Sequence, residues 1–348
     1  MTTVSLASVD KYFGSVQVVR NLSLEIADRE FLVLLGPSGC GKTTTMRMIA
    51  GLEAPSAGTI AFDGVRVNEV PPQRRDVSMV FQNYGLYPHM SVAENIGYPL
   101  KLRRVPLAER ERRVREAAAR VQLDPFLARM PRELSGGQRQ RVALARSIVR
   151  TPRVFLMDEP LSNLDAKLRR RVREDIRELQ QRLSLTVAYV THDQEEALAV
   201  SDEIIVMNNA RIAQRGTPHT LYAEPADLFI VDFIGDANIT DVVIEAVKDG
   251  KAKIQLGPLR FSLPARGLEQ GPAKLAIRPD AITLSTERGL IPGVVSKAFF
   301  LGRLWEYTIE TEFGPLFATI PGRTAPFVIG TSIMLDFDAS GMVLVPSA

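Results

Sequence analysis

The stretch from Phe31 to Gly51 constrains this chain more than any other. Five apolar residues, Phe31-Leu32-Val33-Leu34-Leu35, lead directly into Gly36-Pro37-Ser38-Gly39-Cys40-Gly41-Lys42-Thr43. The apolar run reads as a buried parallel strand. Thr43 to Ala50 is compatible with a helix that Gly51 can end. The segment between them fits the phosphate-cradling pattern G-x-x-x-x-G-K-[ST], in the order strand, glycine loop, helix that the pattern needs. Glycines let backbone N–H groups turn inward around phosphate oxygens, where a Cβ would clash. The helix N-terminus adds partial positive charge and unpaired donors. Lys42 can reach β- and γ-phosphates, and the Thr43 hydroxyl can ligate Mg²⁺.

Two further apolar strands end in polar residues of matching chemistry. Val154-Phe155-Leu156-Met157 runs into Asp158-Glu159, and Thr186–Thr191 runs into His192-Asp193. A carboxylate at the end of a buried strand beside such a loop can hold Mg²⁺ through water. The adjacent Glu159 is placed to polarise an attacking water. His192 stands at the carboxyl end of a strand, where open α/β sheets bind ligands. His89 and His219 have no such setting and read as surface or turn residues. Gln82 follows the apolar Val77–Phe81 and is similarly placed. Phe13, just before Gly14, is either a core or turn aromatic or a platform for a purine.

Between residues 83 and 134 the character changes: Asn83-Tyr84-Gly85-Leu86-Tyr87-Pro88-His89 is aromatic and turn-rich, and Leu107–Val121 then reads as helical, with alanines and i,i+4 Glu/Arg pairs. This reads as a helical insertion in an α/β domain. Leu134-Ser135-Gly136-Gly137-Gln138 then opens a helix from Arg139 to Arg150. Ser135 can cap it, and two glycines free backbone N–H groups, so this is a second anion site of a different make. After Gly235-Asp236 the chain turns to short alternating strands split by Gly, Pro and Asp: Val242–Val247, Ala252–Leu256, Lys274–Ile277, Ile282–Leu284, Gly293–Phe299, Leu304–Glu310, Pro315–Ile320 and Ser332–Phe337. That is an all-β module, read as a small barrel.

Composition removes several classes. Lys and Arg total 43 against 40 Asp and Glu, and the charges mix along helix faces, so no nucleic-acid stripe is expected. Cys40 is the only cysteine, which forbids an internal disulfide. Met1-Thr2-Thr3-Val4 lacks a basic region followed by an apolar core, and no signal peptide is expected. No apolar run approaches the ~18 residues that span a bilayer. Any membrane part is expected to come from a partner.

The loop at Gly36, Gln82, Leu134–Gln138, Asp158-Glu159, Ser162-Asn163-Leu164-Asp165 and His192 stand in the order seen in ABC-type ATPases, which the chain resembles along its whole length. The Ser-Gly-Gly-Gln element separates that family from other P-loop enzymes. The resemblance implies an α/β P-loop ABC ATPase domain with a helical subdomain (residues 1–235, insertion about 86–135), followed by an all-β OB-like regulatory barrel (residues 236–348). It implies that ATP and Mg²⁺ bind at Gly36 to Thr44, that is Gly36, Pro37, Ser38, Gly39, Cys40, Gly41, Lys42, Thr43 and Thr44, with Asp158 on the metal. Phe13 would stack on adenine, with Tyr12 as the less favoured substitute. Gln82 would sense the metal and γ-phosphate. Glu159 would be the general base, and His192 would hold the γ-phosphate and the attacking water. Ser135, Gly136, Gly137 and Gln138, with Asp165, would complete the ATP site of a partner chain.

One chain therefore supplies two unlike halves of a site, and two copies head to tail complete two sites. The implied partners are a second copy, two transmembrane permease subunits received around Tyr84–Tyr98, and, indirectly, a periplasmic or lipid-anchored solute-binding protein. The implied location is peripheral, at the cytoplasmic face of the inner membrane. Val190–Ala199, Phe233–Asn238 and Ile277–Leu284 are similar to the ferric-iron and polyamine importer group, which also covers phosphorylated solutes. A carbohydrate importer is the alternative, and a soluble non-transport ABC ATPase the remaining one.

Overall fold

A computed structural model describes residues 2–162 and 164–347 of the chain. Asn163, part of the Ser162–Asp165 element, lies outside the described residues. Contacts divide the chain into two units, Met1–Pro218 and His219–Ala348.

The first unit is built on two sheets. The strand Phe31–Leu35 is fully buried, as its unbroken apolar run requires. It pairs in parallel with Thr186–Thr191 on one side and Glu203–Asn208 on the other. Val154–Asp158 pairs in parallel with Thr186–Thr191, and Val77–Val80 with Val154–Asp158. Arg211–Gly216 closes the sheet as an antiparallel partner of Glu203–Asn208. The apolar run Ile204–Met207 marks the first arm of this hairpin, whereas Arg211–Gly216 carries no such run. Its turn residues, Asn209 and Ala210, both take positive φ, which suits a tight hairpin, although alanine rarely advertises one.

The second sheet is antiparallel, in the order Val16–Ile26, Val4–Phe13, Ala57–Phe62, Val65–Arg66. Between the sheets lies the helix Lys42–Ala50. Its Met46, Met48 and Ile49 pack with Leu32, Leu34, Leu156 and Val190 from the parallel sheet and Val4, Leu6 and Ile60 from the antiparallel one. Each such fully buried side chain contributes about 1.5–3 kcal/mol relative to exposure. The helix that follows the glycine loop is therefore clamped from both faces.

Arg75 fixes the far end of that helix. It is buried, and its guanidinium donates to the carbonyls of Met48, Ile49, Val67 and Val70. A cation at a helix C-terminus is favoured by the backbone dipole. Gly51, as expected, ends the helix in the left-handed region.

The helical segment contains Val92–Leu102 and Leu107–Arg120, then Gly136–Ile148. Arg112 pairs with Glu109 and Glu116, and Arg113 with Glu109, as the solvated charge pattern implies.

The second unit carries two five-stranded antiparallel sheets around one core. One contributes Val242, Ile244, Ile254 and Leu275, the other Val295, Tyr307, Ile309 and Leu335. The Asn238 amide bonds both backbone groups flanking Phe317 across these sheets: Nδ2 donates to the Phe317 carbonyl, and Oδ1 accepts from its N–H. The architecture matches the OB-like barrel expected. Two strands escaped the pattern reading, Leu259–Pro264 and Met342–Pro346. The first begins straight after the Gly257-Pro258 turn. The second buries Met342, Leu344 and Val345, so it does not alternate cleanly.

Arg278 anchors the start of this unit. It is buried, donates to the carbonyls of Tyr222, Val231, Gly235 and Asp236, and lies 4.2 Å from the Tyr222 ring centroid. Val231 packs against Ala276 and Val345. The strand pattern starts at Asn238, yet these contacts begin upstream of it. Contacts thus divide the chain earlier than its strand pattern does.

Candidate functional site

Three neighbouring parallel strands end side by side: Phe31–Leu35 before Gly36, Thr186–Thr191 before His192, and Val154–Asp158 before Glu159. The site grows from that edge.

Gly36 is buried, Ser38 and Gly39 are exposed, and Cys40 to Lys42 are buried. Pro37 and Thr44 are half-buried and Thr43 is exposed. Gly41 sits at φ 105°, and a Cβ there would stand 2.4 Å from the Val18 carbonyl oxygen. Only glycine fits that position. Lys42 Nζ donates to the carbonyls of Gly36 at 2.7 Å and Pro37 at 2.9 Å. The ammonium thus bridges the mouth of its own loop. Burial raises the pKa of the Cys40 thiol, against the opposing pull of Lys42.

Thr43 Oγ1 donates to Asp158 Oδ1 at 2.9 Å. Burial raises the Asp158 pKa, the Thr43 bond lowers it, and the neighbouring charge of Glu159 raises it again. A carboxylate beside a hydroxyl, desolvated and next to a second carboxylate, is a fitting seat for a hard cation. Among the described residues no group of three or more His, Cys, Asp or Glu side chains is arranged to hold a metal ion by itself. The arrangement suits Mg²⁺, which is usually held by one or two carboxylates plus phosphates rather than by an all-protein cage.

Glu159 takes a left-handed backbone, φ 44°, and its N–H bonds to the Val190 carbonyl at 3.0 Å. A non-glycine residue there signals local strain that the surroundings hold in place. Its Oε2 lies 3.3 Å from His192 Nδ1. Ser162 Oγ donates to the Glu159 carbonyl at 3.0 Å. The sheet therefore brings Lys42, Thr43, Asp158, Glu159 and His192 to one edge. Gln82 stands exposed, just past the strand that neighbours Asp158.

Phe13 ends the strand Val4–Phe13 and is 48% exposed, with the Lys11 ammonium 4.7 Å from its ring centroid. It is no core aromatic. Tyr12 is exposed as well. Phe13 pairs with Val16, two residues before the Val18 carbonyl that packs on Gly41, so the aromatic turn neighbours the glycine loop.

Ser135 caps Gly136–Ile148: its hydroxyl accepts from Gln138 N–H, and Gln138 Oε1 accepts from Ser135 N–H. The structure adds a packing reason for the glycines. A Cβ on Gly137 would lie 2.8 Å from Leu168 Cδ1, and one on Gly136 3.1 Å from Leu164 Cδ2. Asp165 caps the helix Ala166–Leu183 by accepting from Leu168 N–H. Among the described residues, no hydrogen bond or ion pair joins Ser135–Gln138 to the loop Gly36–Thr43.

Sequence reading missed what lies beneath His192. Glu196 is buried, and its carboxylate accepts from the Tyr189 and Thr191 hydroxyls. Asp193 Oδ1 accepts from Glu196 N–H, and Asp193 Oδ2 accepts from Arg169. The available signal was Asp193-x-x-Glu196, a capping spacing directly after the histidine.

Residues 19–162 match the ABC transporter family, and residues 275–345 match the TOBE domain. The chain is 48% identical over 344 residues to the Fe(3+) ions import ATP-binding protein FbpC of Brucella abortus (strain 2308), covering 99% of this chain and 98% of that protein. It is 50% identical over 344 residues to FbpC of Agrobacterium fabrum, with the same coverage. A dimeric structure of a post-hydrolysis state of the ATP-binding cassette MJ0796 bound to ADP and Pi superposes with a TM-score of 0.55 at 29% identity, covering 62% of this chain and 98% of that one. With its three-strand site edge, its signature helix and relatives alike from end to end, this chain belongs to the ABC transporter family, among the ATP-binding subunits that carry a C-terminal TOBE domain.

Proposed function

We propose that the chain powers import of ferric iron by hydrolysing Mg-ATP between two copies of itself, each docked on a transmembrane permease subunit. The observation that carries the ATPase half of this reading is the convergence of Lys42, Thr43, Asp158, Glu159 and His192 at the ends of three adjacent strands. The iron half rests on kinship with the ferric importers of Brucella and Agrobacterium. The ATPase does not touch the solute in this architecture.

The roles follow from chemistry. Lys42 exchanges its loop carbonyls for β- and γ-phosphate oxygens, which are stronger, charge-assisted partners. The amides of Gly39, Cys40 and Gly41, with the start of Lys42–Ala50, cradle the phosphates. Thr43 and Asp158 would hold Mg²⁺ and Gln82 would sense it; when bound, the metal would supply charge neutralisation to the phosphates. Glu159 accepts a proton from the attacking water, and His192, on its other side, orients that water and the γ-phosphate. Phe13 stacks on adenine. Ser135, Gly137 and Gln138 of the second copy close the site over the γ-phosphate. Hydrolysis removes the shared ligand, and the pair opens. A periplasmic or lipid-anchored binding protein delivers the solute, nucleic acid is not a partner, and the chain works at the cytoplasmic face of the membrane. The TOBE domain regulates.

Two measurements test this. Glu159→Gln with Mg-ATP should sediment as a dimer while wild type returns to monomer; a strictly monomeric variant sinks the composite site. Deleting the gene should abolish uptake of radioactive ferric iron and spare polyamine and sugar uptake; unchanged iron uptake would leave the ATPase reading and remove the solute.

A further inference from the structure

Beneath the turn that carries His192, the protein buries a carboxylate that no step of the hydrolysis uses. Glu196 is 4% exposed, Tyr189 1% and Thr191 2%. Tyr189 and Thr191 are two residues apart on one strand, so they point to the same face, towards the helix Gln194–Val200 that carries Glu196. Both hydroxyls donate to the Glu196 carboxylate, one to each oxygen. The Thr191 oxygen also accepts the N–H of Asp193 at 3.0 Å. One hydroxyl thus bridges the carboxylate to the peptide just beyond His192, while its own backbone forms the peptide just before it. Asp193 is held in turn by Arg169 at 2.9 Å, and Arg169 also reaches the Leu164 carbonyl at 3.2 Å.

Burying a carboxylate is expensive, and an apolar side chain of similar volume is often the more stable choice. Burial is the largest influence on Glu196 and raises its pKa, opposed by the Thr191 and Tyr189 bonds. A group kept at that cost, bonded on both oxygens, fixes geometry. The geometry it fixes is the His192 turn, whose ring nitrogen stands 3.3 Å from Glu159.

We propose that Glu196 is a positioning residue for ATP hydrolysis, acting through the Thr191 and Tyr189 hydroxyls to aim His192 at Glu159 and the attacking water. The proposal rests on the reading of His192 given above. It predicts that loosening the Thr191 bridge costs turnover and not ATP affinity, and that the cost disappears once His192 is gone.

The test uses the full-length chain, with Thr191→Val, Thr191→Ser and Glu196→Gln made alone and in a His192→Ala background. Thr191→Val should lower kcat about tenfold, leaving KM and the ATP dissociation constant within about twofold, and Thr191→Ser should restore kcat. In the His192→Ala chain, Thr191→Val and Glu196→Gln should cost nothing further, because residues acting as one unit are not additive. The same fold loss in both backgrounds would make the cluster merely structural and overturn the proposal, as would full kcat in Thr191→Val. Should Glu196→Gln fail to fold, the Thr191 pair decides alone. A normal rate in His192→Ala by itself would bring down the His192 reading and this proposal with it.

Discussion

Glu159 Oε2 and His192 Nδ1 stand 3.3 Å apart, although their strands are separated by the whole Ala166–Leu183 helix in sequence. Parallel pairing of Val154–Asp158 with Thr186–Thr191 puts both strand ends at one level, with Asp158 opposite Val190. A carboxylate base and an imidazole at that spacing can share one water. Glu159→Gln should therefore cut steady-state ATP turnover by about 10²–10⁴-fold while ATP still binds. His192→Ala should bind ATP with little change and hydrolyse it poorly. Nucleotide affinity and phosphate release, measured on each variant, check both; full turnover in Glu159→Gln would remove the general base.

Thr43 and Asp158 make a second pair, hydroxyl to carboxylate at 2.9 Å. Asp158→Asn removes the charge that a divalent cation needs and keeps the shape. ATP hydrolysis by this variant should require a much higher Mg²⁺ concentration for half-maximal rate, with the fold retained. A Mg²⁺ titration of the rate reads this directly. An unchanged half-saturation would move the metal seat elsewhere.

Arg75 satisfies five backbone carbonyls from inside the first unit, those of Met48, Ile49, Val67, Asn68 and Val70. Arg75→Met keeps most of the bulk and strands those acceptors. It should destabilise the unit by about 2–4 kcal/mol, since each unsatisfied buried carbonyl costs about 1–3 kcal/mol and some relax towards water. Thermal unfolding should show the first unit melting earlier, with ATP affinity falling because the helix Lys42–Ala50 loses its anchor.

Glu30 offers a pH test. Burial raises its pKa to about 6, with the neighbouring Glu203 adding to the effect and the Ala27 N–H bond opposing it. The folded state then holds a proton that the unfolded chain releases nearer the ordinary glutamate value of about 4.3. Stability contributed by that proton is present below the lower value and is lost as pH rises through about 6. Melting temperatures measured between those pH values should fall in wild type and fall less in Glu30→Gln, whose amide oxygen still accepts from Ala27. An identical slope in the two proteins would place the titration elsewhere.

A chain ending at Pro218, where the first unit ends, should keep basal ATPase if the second unit only regulates. Loss of folding on truncation would instead make that domain a structural support. Circular dichroism alongside the rate separates the outcomes.

Much of this was legible in the residues themselves. The unbroken apolar run before Gly36 and the glycine pattern after it predict strand, loop and helix, because local sterics and phosphate chemistry leave few other solutions. The Ser135 cap is likewise local and was expected, although the helix starts at Gly136 rather than Arg139, because Gln138 returns a bond to the Ser135 N–H. Strands that alternate cleanly are visible, such as Ala252–Leu256 within the observed Lys251–Leu256; Met342–Pro346 is not, because burying three of its five residues erases the alternation. Spacing alone does not decide whether Phe13 is a core aromatic or a ligand platform, since exposure is not a property of spacing.

The amino-acid order alone thus determined which groups the chain carries and where each strand delivers its last polar residue. The tertiary structure decided what those groups face. Strand order in the parallel sheet brings Glu159 to His192, and helix packing presses Leu168 against Gly137. It also turns Arg75, Arg278 and Glu196 inward, where each must find several partners at once. A buried polar group is fixed by what it can bond from distant segments, and that is a property of the fold rather than of any window of sequence.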